Sequence, residues 1–145
     1  MKPRFQQVLI GGFAGTILMT LMMYYVAPLM MGGPMDIAAM LADMLGTSWM
    51  AGITVHLLLG GLAFPIVFHA LYPTLPGAGW LKGLIFGMIL AVIALAVVMP
   101  MAGMGMFMVN HPQPAMAAVG LLMGHAVYGI VLGWWSAKSA GAETA

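Results

Sequence analysis

A chain of 145 residues that is 63% hydrophobic and only 5% charged lies far from the roughly 25% charged composition of a soluble domain, so water cannot solvate its whole surface. Four basic and three acidic side chains leave a formal net charge of +1, which excludes a nucleic-acid partner for want of a basic patch to neutralise phosphates. The lack of cysteine excludes disulfides, thiol catalysis and cysteine-ligated zinc or iron–sulfur centres.

Each crossing of a bilayer core takes about 20 apolar residues, and the charge-free stretches supply four. The fold class expected is an all-α integral membrane protein of one domain, a four-transmembrane-helix bundle. Its helices are expected at about 5–29, 48–71, 80–101 and 115–137. Helices are required because lipid offers no partner to an open backbone amide. The first carries Gly11-x-x-x-Gly15 and ends near Pro28, before the breaker Met31-Gly-Gly-Pro-Met35. A short outer interfacial helix is expected over about 35–45, with Ile37, Leu41, Met44 and Leu45 on its lipid-facing stripe and Asp36 and Asp43 on the other side. The second long helix holds His56 and Gly60 and stops at Tyr72-Pro-Thr-Leu-Pro-Gly77. The third has Gly83-x-x-x-Gly87 and ends at Pro100, and Asn110-His-Pro-Gln-Pro114 leads into the fourth, with Gly120, Gly124, His125, Gly129 and Gly133. The paired glycines serve close helix packing.

In this topology Lys2, Arg4, Lys82 and Lys138 share one side and Asp36 and Asp43 the other. The positive-inside rule then makes both termini cytoplasmic, with the first span an uncleaved anchor. Landmarks also recur between halves: the Gly pair followed by Pro28 or Pro100, then His56-x-x-x-Gly60 or His125-x-x-x-Gly129. Two parallel two-helix repeats about a pseudo-twofold axis are the expected architecture. The Gly-x-x-x-Gly of the first helix, Pro100-Met-Ala-Gly103 and Gly124-His-Ala-Val-Tyr-Gly129 together resemble an uncharacterised family of small four-helix bacterial membrane proteins. The resemblance implies the fold and a bacterial inner-membrane location, and it supplies no reaction.

His56 and His125 fall about 12 and 15 Å below the outer ends of their helices at 1.5 Å per residue, so they are expected at matching depth. An ionisable side chain inside a membrane is a functional candidate by default. Facing one another, the two could ligate a metal or sandwich the iron of a b-type haem, with Gly60 and Gly129 leaving room for the ring. The competing expectation is polar glue, each imidazole hydrogen-bonding across helices to Thr16, Thr20, Tyr24, Tyr25, Thr54 or Tyr128. His69 is expected near the cytoplasmic surface and His111 in an exposed turn.

Eighteen methionines gather mainly in the outer half. Soft thioethers select Cu(I), which makes Met101, Met104, Met106 and Met108, with His111, a candidate copper surface; the alternative is flexible apolar filling. No catalytic residues are identified, because no paired carboxylate, nucleophile–base set or phosphate loop is present. The function expected is a non-catalytic integral membrane subunit or accessory protein, not an enzyme. It would serve a respiratory or other redox complex and associate with other membrane subunits or as a homodimer. Haem b at His56 and His125, or copper at the methionine face, are the alternatives.

Overall fold

The computed structural model describes residues 2–140, and among these it is helical with no strand. Glu143 and the C-terminus lie outside the described residues. Four helices are long and apolar enough to cross a membrane: α1 (Phe5–Met31), α3 (Trp49–Leu71), α4 (Gly79–Met101) and α5, whose span covers Pro114–Lys138. The short α2 (Ile37–Leu45) joins the first two. This is a membrane protein by length and apolarity.

Glycine contacts fix how the spans pass one another. Gly11 lies against Leu132 and Trp135, Gly15 against Tyr128, and the Met19 side chain beside Gly124, so α1 and α5 are antiparallel. Gly79, Gly83 and Gly87 meet Gly133, Gly129 and His125 in the same descending order, which makes α4 and α5 antiparallel too. A Cβ on Gly83 or Gly129 would run into the opposing backbone carbonyl; only glycine permits this approach. Backbone packing therefore orders the bundle as α3, α1, α5, α4. The glycine pairs of α1 and α4 are consumed inside it.

The four basic residues gather at one end of this bundle, here called the basic end, and Asp36 and Asp43 at the other, the acidic end. At the basic end the outermost helices, α3 and α4, meet through aromatic side chains. Phe68 and Phe86 have ring centroids 5.3 Å apart, and Tyr72 stands edge-on to Phe68. Lys82 Nζ donates to the Tyr72 carbonyl at 2.8 Å, and Lys138 lies 3.5 Å from the centroid of the Trp134 ring. Val8, Tyr128 and Leu132 complete this apolar core.

Three spans change their winding just ahead of a proline. α1 breaks at Val26 before Pro28. α3 widens to a π turn over Leu59–Ala63 before Pro65, and α4 does so over Ala94–Val98 before Pro100. A proline ring clashes with the carbonyl four residues back and brings no N–H, and a wider turn absorbs the clash. In α3 the Phe64 amide bonds to Leu59 and Pro65 has no amide, so the Gly60 carbonyl loses its helical partner. Tyr128 of α5 replaces it, donating its hydroxyl at 2.8 Å.

α2 sits differently from the expected surface helix. Its buried face is Ala38 and Ala42, pressed on Gly52 of α3, while Leu45 is exposed. Small residues let α2 fold closely back over the bundle, whereas the Ile37–Leu41 stripe turns toward an internal cavity. Asp36 fastens it. Its carboxylate caps α2 through the Ala39 amide at 2.9 Å and accepts from the Tyr24 hydroxyl at 2.6 Å and the Trp49 indole at 3.1 Å. Three elements thus converge on one side chain, and Asp43 is left exposed.

Candidate functional site

Beyond the Phe68–Phe86 contact, the space between α3 and α4 is a cavity of about 560 Å³ in the acidic half of the bundle. Leu59 and Phe64 of α3, Leu90 and Val98 of α4, and Leu121 of α5 wall it. The segment from Met31 to Leu41 and the loop bearing Met104, Met108 and His111 line it toward the acidic end. His56 and His125 both border it.

Tautomers are assigned here from the hydrogen-bond network. With the Thr20 hydroxyl donating to the Thr16 carbonyl at 2.7 Å, it accepts from His56 Nε2, 3.0 Å away. On that assignment His56 carries its proton on Nε2 and its lone pair on Nδ1. His125 Nδ1 lies 3.0 Å from the Leu121 carbonyl, which also only accepts, so its lone pair is on Nε2. Among the described residues the one buried side-chain nitrogen or oxygen without a partner is Nδ1 of His69. The lone-pair nitrogens of His56 and His125, which have no bond of their own, are thus not sealed inside protein. A neutral imidazole with one N–H anchored on an oxygen and the other nitrogen open is the arrangement a metal-ligating histidine adopts.

Methionines line the same cavity. Met19, Met23, Met31, Met35, Met40, Met99, Met104 and Met108 all border the cavity. Small residues on α5 make room for them: a Cβ built on Gly124, next to His125, would stand 3.6 Å from Met19 Sδ, and one on Gly120 would stand 3.7 Å from Met35 Sδ. Met108 reaches its buried place from a loop in which Phe107 and Met108 both hold positive φ, 53° and 62°. Two successive side-chain-bearing residues there cost on the order of 1–3 kcal/mol each.

The sequence candidates separate accordingly. Met104, Met108 and His111 face the cavity, but Met101 and Met106 are exposed on the outside, because the loop does not bring the alternating methionines to one surface. The neutral His111 ring is not a free ligand: its Nδ1 accepts the Gln113 amide at 3.1 Å. Gly60 borders the cavity, with Thr16 packed where a side chain on it would stand, and Gly129 lies against the Gly83 backbone. His125 bonds within its own helix, so of the two histidines only His56 makes the expected inter-helix contact. His69 packs on Phe5 at the basic end, with centroids 5.4 Å apart. Thr20 stood among the hydroxyls considered from sequence. Met19 and Met23 did not stand out, since their inward placement depends on where α5 carries glycine.

Charge at the site is sparse. Among the described residues Asp36 is the only acid bordering the cavity, and no lysine or arginine does. Burial works against the Asp36 carboxylate, but hydrogen bonds from Tyr24, the Ala39 amide and Trp49 outweigh it and hold the group below the usual carboxylate range. No group of three or more histidine and acidic side chains converges among the described residues; methionine sulfur is the remaining soft donor. Residues 4–145 match the model of a family of unknown function, DUF6789. No curated protein and no solved structure matches the chain.

Proposed function

The chain belongs to this family of unknown function, and from that premise we propose a non-catalytic membrane component whose chamber holds a metal-centred ligand between His56 and His125. The observation that carries this reading is that each ring spends its N–H on a protein oxygen and keeps a lone pair open. Such nitrogens receive a metal or a hydrogen-bond donor; they do not bind a carbonyl. A volume of about 560 Å³ lies in the range of cofactor-sized sites.

Haem b fits the size and the Nε2 of His125, but His56 presents Nδ1, where its own Cβ would crowd a porphyrin face. Its carboxylates fit less well, because Asp36 borders the cavity and the basic residues Arg4, Lys82 and Lys138 stand at the far end. In its setting the component would be a subunit or accessory of a redox membrane assembly, or a homodimer. With the helix-packing glycines used internally, any partner meets large apolar side chains such as Phe13, Ile17 and Val92. By the positive-inside rule the basic end is cytoplasmic, with both termini there, and a bacterial inner membrane is the location proposed.

The test is metal analysis and an absorption spectrum of detergent-purified protein beside His56→Ala and His125→Ala. Metal or pigment bound by the parent and lost from both variants supports the reading. A parent that carries none and takes up neither hemin nor Cu(I) overturns it.

A further inference from the structure

We infer that the ligand is a single Cu(I) ion, held by His56 Nδ1, His125 Nε2 and the Met19 thioether, with the roof methionines forming its path from the acidic end. This deepens the proposed reading and rests on it. The donor set decides the metal. Zinc and ferrous iron favour sites that include anionic or several nitrogen ligands. Here two imidazoles border a chamber otherwise rich in thioethers, and Asp36, the one carboxylate bordering it among the described residues, is committed to Tyr24, Ala39 and Trp49. A divalent ion would keep its full charge among neutral ligands in an apolar surrounding, at a heavy desolvation cost. A monovalent soft ion suffers least and is the one thioethers select.

Size does not oppose a small ion. Methionine is unbranched and flexible, so side chains that wall an open chamber can turn inward around an ion. Met19 is best placed to do so first: its sulfur lies beside Gly124, and it lines the same cavity as His56 and His125. Met35 and Met40 in the roof, with Met104 and Met108 in the facing loop, extend the sulfur lining away from the histidines. Because both lone pairs are already free, Cu(I) binding displaces no proton, unlike binding by thiols.

The experiment is an anaerobic titration of the full-length protein in detergent with Cu(I), in competition with a colorimetric Cu(I) chelator, followed by X-ray absorption at the copper edge. One Cu(I) per chain with both nitrogen and sulfur neighbours is expected. His56→Ala, His125→Ala and the volume-conserving Met19→Leu should each weaken binding by at least about tenfold, while Met101→Leu and Met106→Leu leave it unchanged. Helicity and gel-filtration position, unaltered in Met19→Leu, separate loss of a ligand from loss of fold. Failure to withdraw copper from the chelator, an absence of sulfur neighbours, or full binding by folded Met19→Leu would overturn the inference. A parallel hemin titration separates the two claims. A histidine-dependent Soret band without copper uptake sinks copper and keeps the chamber, and uptake of neither sinks both.

Discussion

The Tyr128 hydroxyl donates to the carbonyl of Gly60 at 2.8 Å, tying the π turn of α3 to the centre of α5. The acceptor exists because Pro65 has no amide to give it. Removing the donor strands a buried carbonyl in a medium without water, so Tyr128→Phe should cost about 1–2 kcal/mol. Tyr25→Phe, at a residue 72% exposed, is the control and should cost nothing measurable. Reversible denaturation in mixed detergent micelles makes the comparison; equal stabilities would remove this bond from the account.

Packing of α4 on α5 predicts a second contrast. A Cβ on Gly129 meets the Gly83 backbone, which cannot swing aside as a side chain can. Gly129→Ala should destabilise by about 1–3 kcal/mol or more. Gly120→Ala has its nearest neighbours at 3.6 and 3.7 Å, both atoms of methionine side chains, and should be neutral or slightly stabilising in a helix. The same denaturation assay decides it, and similar costs at both positions would contradict the packing described.

How far the sequence alone reaches is clear at particular residues. Four crossings follow from uninterrupted apolar length and from prolines and glycines placed between them, because hydrocarbon forces helical hydrogen bonding. The lean of α2 does not follow in the same way. Its apolar stripe is compatible with a membrane surface or a cavity roof, and the choice rests on Ala38 and Ala42 finding Gly52 on another helix. Pro65 marks an irregularity, yet which carbonyl it orphans and what rescues it depend on α5. His56 and His125 stand out as intramembrane titratable groups, whereas their tautomers are set by Thr20 and by the Leu121 carbonyl. The Met104–Met108 run misleads most. Alternation along the chain says nothing of direction once Phe107 and Met108 enter the left-handed region.

The Asp36 latch carries a pH prediction. Its folded pKa lies below the usual value, so its contribution is fully present above the unfolded pKa of about 3.9 and is lost as pH falls through the folded value. Protection of the α2 amides, measured against their intrinsic exchange rates, should hold at neutral pH and fall only well into the acid range. Asp36→Ala, which lacks cap and latch, should exchange fast at every pH, with the cap alone worth about 1 kcal/mol. Exchange that ignores both acid and the substitution would show that α2 is held by its alanine face alone.

Thr20 acts on the chamber through His56. Thr20→Val keeps the shape and removes the oxygen that receives Nε2–H, which should lower metal affinity about 10–100-fold. Thr54→Val removes a hydroxyl that bonds only to Met50 of its own helix and should leave affinity alone. Chelator competition reads both variants, and equal losses would show a general disturbance of the bundle, not a positioning role for Thr20.

The protonation pattern of the two intramembrane rings is the point from which the chamber, its ligand class and the copper assignment all descend. Nitrogen-15 NMR of histidine-labelled protein in micelles measures it directly. Neutral rings are expected, His56 carrying its proton on Nε2 and His125 on Nδ1, with the opposite nitrogens shifting most when Cu(I) is added. Protons on His56 Nδ1 or His125 Nε2, or spectra indifferent to both Cu(I) and hemin, would contradict it.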